Sequence, residues 1–216
     1  MGGEAKQFRR LESRPTLCWA ALPLLESLAG PLVVVLPEDR LEEAERLLIA
    51  HLPEAREKIR AVPGGVRRRD SVRAALEAIE GVETVLVHDA VRPFASAALV
   101  TRVGARAAEG RAVVPALRVR DTLKEIDDGR VVRTLDRERL VAVQTPQGFP
   151  LQVLRSAHEA DDGDATDDAA LVERLGHPVT WVEGERMNRK LTDPEDWAWA
   201  EEAVAAGRVR WRQEVW

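Results

Sequence analysis

The sequence predicts an α/β protein with a mainly parallel sheet and helices on both of its faces. Short apolar runs rich in β-branched residues alternate with longer segments whose apolar residues recur every three or four positions. This alternation is typical of parallel sheets, in which a helix usually connects one strand to the next and packs on a face of the sheet. The chain has 216 residues, 45% of them hydrophobic, which suits one domain with a buried core; we predict a single domain over 1–216.

The first strand and helix signals occupy residues 31–81. PLVVVLP (31–37) is an apolar run between prolines, as in a strand buried on both faces, and LEEAERLLIAHL (41–52) has the apolar spacing of a helix. IRAVPGG (59–65) predicts a second strand that ends in a glycine pair. RRRDSVRAALEAIEG (67–81) predicts the next helix, with candidate caps near its start and a glycine stop.

The same alternation continues and is then interrupted. VETVLVHDA (82–90) predicts a strand with an acidic end, SAALVTRVGARAAEG (96–110) a helix, and RAVVPAL (111–117) a fourth strand. The segment 117–140 instead alternates polar and apolar residues around DDG, which predicts a long hairpin. Because this hairpin has little to bury by itself, we expect an arm that projects from the domain and packs on a second copy of the chain.

The α/β pattern resumes after the hairpin. LQVLRSAHEA (151–160) and DDAALVERLG (167–176) predict helices, and PVTWVEG (178–184) predicts a strand. DPEDWAWAEEAVAAG (193–207) predicts the last helix, with Asp193 as its cap and a proline in its first turn.

The composition limits the classes of partner. The net charge is −5 and residues of both signs are interspersed, so the sequence has no concentrated positive charge that would attract nucleic acid or a membrane surface. No apolar run approaches the roughly 20 residues of a membrane span. The single cysteine, Cys18, excludes an internal disulfide and suits a reducing compartment, so we expect a cytoplasmic protein. Only four of the 32 basic residues are lysines: Lys6, Lys58, Lys124 and Lys190.

Two loops after predicted strands carry candidate site residues. Ligands of such sheets bind beyond the carboxyl ends of the strands. In HDAVRPF, Asp89 can hold a metal ion or a hydroxyl and Arg92 can grip a phosphate, or the two can form an ordinary surface pair. GGVRRRDS (64–71) offers glycine N–H groups, three arginines and Ser71 to an anion, although arginines in such a run can also be merely solvated.

The remaining polar motifs favour one class of reaction. Threonines lie beside charges in RDTLK, TLDR, TPQGF and ATDD, where hydroxyls can orient sugar or phosphate oxygens or cap turns. The four histidines lack metal-ligand spacing, and no serine has a nucleophile-elbow context. A cationic anion site with one aspartate favours phosphoryl or nucleotidyl transfer over hydrolysis by a side-chain nucleophile.

Seven motifs in order resemble those of one enzyme family: GGVRRRDSV, VLVHDAVRPF, RDTLK, TLDRERL, TPQGF, TDDAALVE and NRKLTDPED. From Lys6 onward the chain resembles the 2-C-methyl-D-erythritol 4-phosphate cytidylyltransferases of the non-mevalonate isoprenoid pathway. The resemblance implies a nucleotide-diphosphosugar-transferase-like three-layer fold, with a mixed, mainly parallel sheet and a β-arm (about 117–140) that builds a homodimer. It also implies transfer of a cytidylyl group from CTP to methylerythritol phosphate, with release of pyrophosphate and with Mg²⁺.

The resemblance assigns roles by position. Lys6 and Lys190 would neutralise phosphate charge during the reaction, and Asp89 would lie by the metal. The residues implied for CTP are Gly2, Gly3, Lys6, Gly64, Gly65, Arg68, Ser71, Asp89 and Ala90. Those implied for the sugar-alcohol phosphate are Asp89, Arg92, Thr122, Arg137, Thr145, Thr166 and Lys190. Of these, Thr122 and Arg137 lie on the arm and would act in the partner subunit's site.

The beginning of the chain departs from the family pattern. MGGEAKQF matches only the tail of the family's first glycine loop, with Ala5 where proline is usual. The first strand, the leading glycines and the loop arginine are missing, so we expect Met1 to be an internal methionine taken as the start. Apolar neighbours of that strand, such as PLVVVLP, would be exposed, and we expect these 216 residues to fold poorly or to be nearly inactive.

Two other functions fit the same residues. One is a cytidylyltransferase for another polyol phosphate, such as ribitol 5-phosphate, since that family shares most of these motifs. The other is a non-catalytic dimeric protein on a decayed transferase scaffold, for which the incomplete first loop is the main support.

Overall fold

The computed structural model describes residues 5–160, 163 and 165–211. The helices are α1 (Thr16–Ser27), α2 (Leu41–His51), α3 (Arg68–Glu77), α4 (Ala97–Ala108), α5 (Leu151–Ala160), α6 (Asp168–Arg174) and α7 (Pro194–Ala205). The strands are β1 (Arg10–Leu11), β2 (Arg14–Pro15), β3 (Leu32–Leu36), β4 (Ile59–Pro63), β5 (Thr84–Val87), β6 (Ala112–Arg118), β7 (Lys124–Asp127), β8 (Arg130–Thr134), β9 (Val141–Val143), β10 (Gln147–Pro150) and β11 (Val179–Glu183).

The main sheet has five strands in mixed directions. Its order is β11-β6-β10-β5, and β9 pairs with the far end of β6. Strand β6 is parallel to β11 and antiparallel to β10, which is itself antiparallel to β5. Strands β5, β6 and β11 therefore point the same way, as the alternation of strands and helices predicts.

Helices cover both faces of this sheet. On one face, Leu99 and Val103 of α4 pack with Val113 of β6. On the other face, helices α3, α5 and α6 pack around Phe149 and Leu154, neither of which has any exposed surface. Both cores are close-packed and apolar, so the three-layer α/β architecture expected from the sequence is confirmed.

Strands β3 and β4 form a separate parallel pair next to a gap. Among the described strands, β3 pairs only with β4 and β5 pairs only with β10. Between β3 and β5 lies a cavity of about 740 Å³ whose walls are mostly aliphatic, and residues 32–35 of β3 are only partly buried. The strand predicted over PLVVVLP is therefore present, but it is less buried than expected for a strand covered on both faces.

The polar hairpin projects from the domain as predicted. At its tip, Asp128 (φ 44°) and Gly129 (φ 73°) both adopt left-handed backbone conformations, which a two-residue hairpin turn requires. Every residue of β7 and β8 is exposed, including Ile126 and Val131, which face each other across the two strands. The arm therefore carries apolar side chains that no residue in the described part of the chain covers.

Five elements were not predicted from the sequence: β1, β2, α1, β9 and β10. Helix α1 contains Pro23, which cannot donate a backbone hydrogen bond, yet its burial among apolar residues of α2 and β3 outweighs that loss. Strand β9 (VAV) has only three residues, and β10 (QGFP) contains proline and glycine, which are more typical of turns. Helix α3 also ends at Glu77, before the glycine stop predicted at 81.

Within the described part of the chain, no helix is long and apolar enough to cross a membrane.

Candidate active site

The carboxyl ends of β3, β4 and β5 meet at one end of the gap. The N–H group of Gly64, just after β4, donates to the carbonyl oxygen of Leu36 at the end of β3 over 2.8 Å. Five of the residues that line this end of the cavity are here called the rim site: Arg68, Ser71, Asp89 and Lys190, which have polar side chains, and Ala90. All five were predicted from the sequence, and they line one cavity.

Asp89 is the centre of charge in the rim site. Its Oδ2 atom lies 2.9 Å from the Nζ atom of Lys190 and 3.8 Å from the Nε atom of Arg92, and its Oδ1 atom lies 3.8 Å from the Nε atom of Arg68. Burial alone would raise the pKa of Asp89, but the hydrogen bond and charge of Lys190, with the charges of Arg68 and Arg92, hold it below its ordinary value. Asp89 thus faces three cations. Arg68 is also paired with the buried Asp168 over 2.7 Å, so the three cations against these two carboxylates leave one net positive charge for an anion.

Backbone hydrogen bonds fix Lys190 over Asp89. The side-chain amide of Asn188 donates to the carbonyl oxygen of Thr145 over 2.7 Å, and the guanidinium of Arg92 donates to the carbonyl oxygen of Asn188 over 2.9 Å. One residue after the lysine, the N–H group of Leu191 donates to the carbonyl oxygen of Val91 over 2.8 Å. The segment NRKLT is therefore fastened to the loop that carries Asp89.

His88 and Thr145 support the backbone of Asp89 from behind. The N–H group of Asp89 donates to Oγ1 of Thr145 over 3.0 Å, so the threonine hydroxyl is free to donate to Nδ1 of His88, 2.9 Å away. The other ring nitrogen, Nε2, then carries the proton and donates to the carbonyl oxygen of Arg92 over 3.1 Å. Burial lowers the pKa of His88 to about 4, so the ring is neutral near pH 7.

The glycine pair after β4 forms a tight turn against the start of α3. A Cβ atom on Gly65 would lie 2.3 Å from the Cβ atom of Asp70, so no larger residue fits there without movement. The N–H group of Gly65 donates to Oγ of Ser71 over 3.2 Å. In this structure both glycine N–H groups are thus used within the protein, and that of Gly65 holds Ser71 at the rim site.

The three consecutive arginines have three different contacts. Arg67 pairs with Asp70 of its own helix over 3.0 Å. Arg69 is buried and donates to backbone carbonyl groups at and beyond the end of α5. Arg68 lines the cavity near Asp89. The sequence pattern indicated a basic segment, and the structure shows which of its members reaches the site.

Other predicted residues lie outside the rim site. Lys6 is exposed, and its Nζ atom donates to the carbonyl oxygen of Thr192, two residues after Lys190. Thr122 and Arg137 are exposed on or near the arm, away from Asp89, and Thr166 is exposed just before α6. Gly2 and Gly3 lie outside the described residues.

Several residues that matter for the geometry were not predicted. His88 adjoins a predicted site residue, but the spacing of the four histidines does not suit a metal site, and the sequence gives no other sign of a role for it. Asn188 lies in a motif that was noted for its lysine alone. Asp168 and His158, both buried, gave no sequence signal because their importance depends on contacts between distant segments.

Comparisons with known proteins identify one family. A family model described as "IspD: 2-C-methyl-D-erythritol 4-phosphate cytidylyltransferase" matches residues 1–206. A curated 2-C-methyl-D-erythritol 4-phosphate cytidylyltransferase of Frankia casuarinae is 43% identical over 94% of this chain and 76% of its own length. The crystal structure of the Thermus thermophilus enzyme of that name has a TM-score of 0.77 and 38% identity, and the match covers 94% of each chain.

Other relatives are longer proteins. The bifunctional enzyme IspD/IspF of Solidesulfovibrio magneticus is 47% identical over 94% of this chain and 53% of its own length. The chain therefore spans about half the length of that relative. Because the family model and the Frankia and Thermus relatives match nearly the whole chain, the chain belongs to the 2-C-methyl-D-erythritol 4-phosphate cytidylyltransferase family.

Proposed function

We propose that this protein transfers a cytidylyl group from CTP to 2-C-methyl-D-erythritol 4-phosphate. The observation that carries the proposal is the convergence of Lys190, Arg68 and Arg92 around Asp89 at the carboxyl end of a strand. Two polyanions repel each other, and a pocket with surplus cations offsets that repulsion. Family membership supports the choice of nucleotide and of alcohol phosphate, since both are in the family's description.

The reaction is a displacement at phosphorus. A phosphate oxygen of the alcohol phosphate forms a bond to the α-phosphorus of CTP, and the bond from that phosphorus to the bridging oxygen breaks as pyrophosphate leaves with the electron pair. No covalent intermediate with the protein is needed. Alignment of the two reactants can contribute about 7–11 kcal/mol in favourable cases, so positioning and charge are the protein's main contributions.

Lys190 is suited to follow the charge as it moves. Its ammonium group has three donors, and its side chain is 44% exposed, so it can keep its bond to Asp89 while another N–H turns to a phosphate oxygen. Arg92 is held by the carbonyl oxygen of Asn188 and suits a fixed phosphate. We therefore assign charge neutralisation at the α-phosphorus to Lys190 and binding of the alcohol phosphate to Arg92.

We further propose that Mg²⁺ enters bound to CTP. Within the described residues, no three acidic, histidine or cysteine side chains gather as they would for a resident metal ion. Mg²⁺ is commonly held by one or two carboxylates together with substrate phosphates, and Asp89 provides one such carboxylate at the rim. When bound, the ion would neutralise part of the triphosphate charge.

The arm supports a homodimer as part of the proposal. Ile126 and Val131, paired across the hairpin, are 68% and 62% exposed, and a second copy of the chain would cover them. Thr122 and Arg137 would then approach the partner's site. Analytical ultracentrifugation tests this: Ile126→Lys with Val131→Lys should give monomers, whereas Glu125→Lys on the opposite face should leave the dimer intact. A wild-type monomer would contradict the proposal.

The assay that tests the function measures pyrophosphate release. Purified protein should release pyrophosphate from CTP and Mg²⁺ when methylerythritol phosphate is present. Ribitol 5-phosphate is the matched control, because it offers a phosphate on a polyol without the methyl branch. Equal or faster reaction with ribitol 5-phosphate would overturn the assignment of the alcohol, and absence of both CTP binding and turnover would favour a non-catalytic protein.

The free buried Cys18 supports a reducing location, and we propose the cytoplasm.

A further inference from the structure

A buried acid on a neighbouring helix holds the side chain of Arg68. The Nη2 atom of Arg68 donates to Oδ2 of Asp168 over 2.7 Å, whereas its Nε atom lies 3.8 Å from Asp89. The side chain of Asp168 has no exposed surface, and that of Arg68 is 36% exposed towards the cavity. One end of the guanidinium is therefore anchored, and the rest can face a ligand.

Asp168 is itself held in place by His158. The Nε2 atom of His158 lies 3.0 Å from Oδ1 of Asp168, and the histidine side chain is only 2% exposed. A carboxylate can only accept, so Nε2 carries the proton and donates. Both oxygens of Asp168 are thus occupied from opposite directions, and the carboxylate cannot rotate without losing a bond.

We propose that Asp168 and His158 are positioning residues that keep Arg68 at the rim site and prevent it from collapsing onto Asp89. Two carboxylates compete for one guanidinium, and the attraction falls with distance. Without Asp168, Asp89 would be the nearest anion. Arg68 would then pair with Asp89, compete with Lys190 for the same carboxylate, and turn its donors away from the cavity.

The consequence rests on the proposed function, in which Arg68 contacts CTP. Burial alone would lower the pKa of Arg68, but the charge and hydrogen bond of Asp168 outweigh burial and raise it. This coupling, together with the 2.7 Å contact, indicates that Arg68 and Asp168 act as a unit. A brace that merely joined α3 to α6 would affect stability without acting through Arg68.

A double-mutant cycle on CTP binding distinguishes the two roles. The dissociation constant of CTP with Mg²⁺ is measured by calorimetric titration for the wild type, Asp168→Asn, Arg68→Ala and the double variant. We expect each single change to weaken binding about tenfold and the double variant to bind no more weakly than Arg68→Ala, because coupled residues are not additive. Losses that multiply, or an Asp168→Asn variant that binds like the wild type, would overturn the positioning role.

Asp167→Asn is the matched control. It removes one negative charge from the adjacent residue, whose carboxylate accepts from Gln147 and from the N–H group of Ala170. Asp167 acts on Arg68 through its charge and does not bond to it, so binding of CTP should weaken much less, and stay within about twofold of the wild type. Weakening as large as that of Asp168→Asn would show a general effect of charge or of α6, and would contradict the proposal.

A second variant covers the case in which Asp168→Asn does not fold. His158→Phe removes the donor to Oδ1 of Asp168 but leaves the ion pair between Asp168 and Arg68. We therefore expect it to weaken CTP binding about threefold in the wild type and not at all in the Arg68→Ala background. Equal losses in both backgrounds would overturn the proposal. A wild-type protein that neither binds CTP nor releases pyrophosphate would overturn the function and this inference together, whereas an active wild type with unaffected variants would overturn the inference alone.

Discussion

Strands β6 and β3 have similar apolar sequences but different surroundings. Ala112 to Ala116 of β6 are buried, with strands paired on both sides and helices over both faces. The valines of β3 are only partly buried, because β3 pairs on one side and borders the gap on the other. The comparison shows that apolar content predicts a strand, whereas burial depends on which neighbours the rest of the chain supplies.

The largest expected effect is a loss of activity at the rim site, which lies at one end of the gap beside β3. Lys190→Ala should lower kcat about 10²–10³-fold, the range found when one donor to a developing charge is removed. Lys58, which precedes β4 and donates to the carbonyl oxygen of Leu28, is the matched control, and Lys58→Ala should change kcat less than about twofold. Steady-state pyrophosphate release checks both, with thermal unfolding to show that each variant is folded. Equal losses would contradict a specific role for Lys190.

The next difference concerns exchange of backbone amides. The N–H groups of Val113 and Val114 lie inside a paired and covered strand, so they should exchange only through large openings of the domain. Those of β3 need only a local opening of the β3–β4 pair, so we expect exchange at least about 100-fold faster at residues 33–35. Hydrogen–deuterium exchange with mass spectrometry measures this. Equal protection would mean that the pair is as stable as the main sheet.

A smaller difference should appear in stability. Leu154 of α5 has no exposed surface, and Leu154→Ala should lower the free energy of unfolding by about 3 kcal/mol. Leu32 of β3 is partly buried beside the gap, so Leu32→Ala should cost about 1 kcal/mol, because less surface returns to water. Chemical denaturation of the two variants measures both values. A larger cost at Leu32 would show that β3 is better packed than its exposure indicates.

The same distinction explains what could be predicted from the sequence. Strands and helices with regular spacing, such as β3, α2, α4 and α7, were located to within a few residues, because local periodicity reports local structure. Helix α1 was missed because its proline contradicts a helix locally, and only tertiary packing overrides that signal. The gap beside β3 was expected from the family resemblance and not from periodicity, which carries no information on pairing.

The candidate site divides in a similar way. Asp89, Arg92 and Lys190 were found because charged residues after strands and a rare lysine are visible in the sequence. Asp168 and His158 were not, since their effect on Arg68 depends on a contact between residues 100 positions apart in the chain. The threonines are intermediate: Thr145 was assigned to the substrate pocket, and in this structure its hydroxyl bonds to His88 and to the N–H group of Asp89.

The last prediction concerns the dependence of stability on pH, through His88 at the end of the strand that borders both regions. Burial lowers its pKa to about 4 in the folded protein, whereas an unfolded histidine has a pKa of about 6.5. Between these values the unfolded chain binds more protons, so the free energy of unfolding should fall as pH decreases from about 6.5 to 4. The full shift corresponds to at most about 3 kcal/mol, and partial exposure of the residue reduces it to about 2 kcal/mol.

Two measurements separate His88 from carboxylates that titrate in the same range, including the neighbouring Asp89. Denaturation at several pH values should show a weaker dependence between pH 6.5 and 4 in His88→Asn than in the wild type, because asparagine cannot be protonated there. The chemical shift of the His88 ring should follow a pKa of about 4 in the folded wild type. A ring that titrates near its ordinary value would mean that burial does not keep it neutral, and the proposed donation from the Thr145 hydroxyl to Nδ1 would then be contradicted.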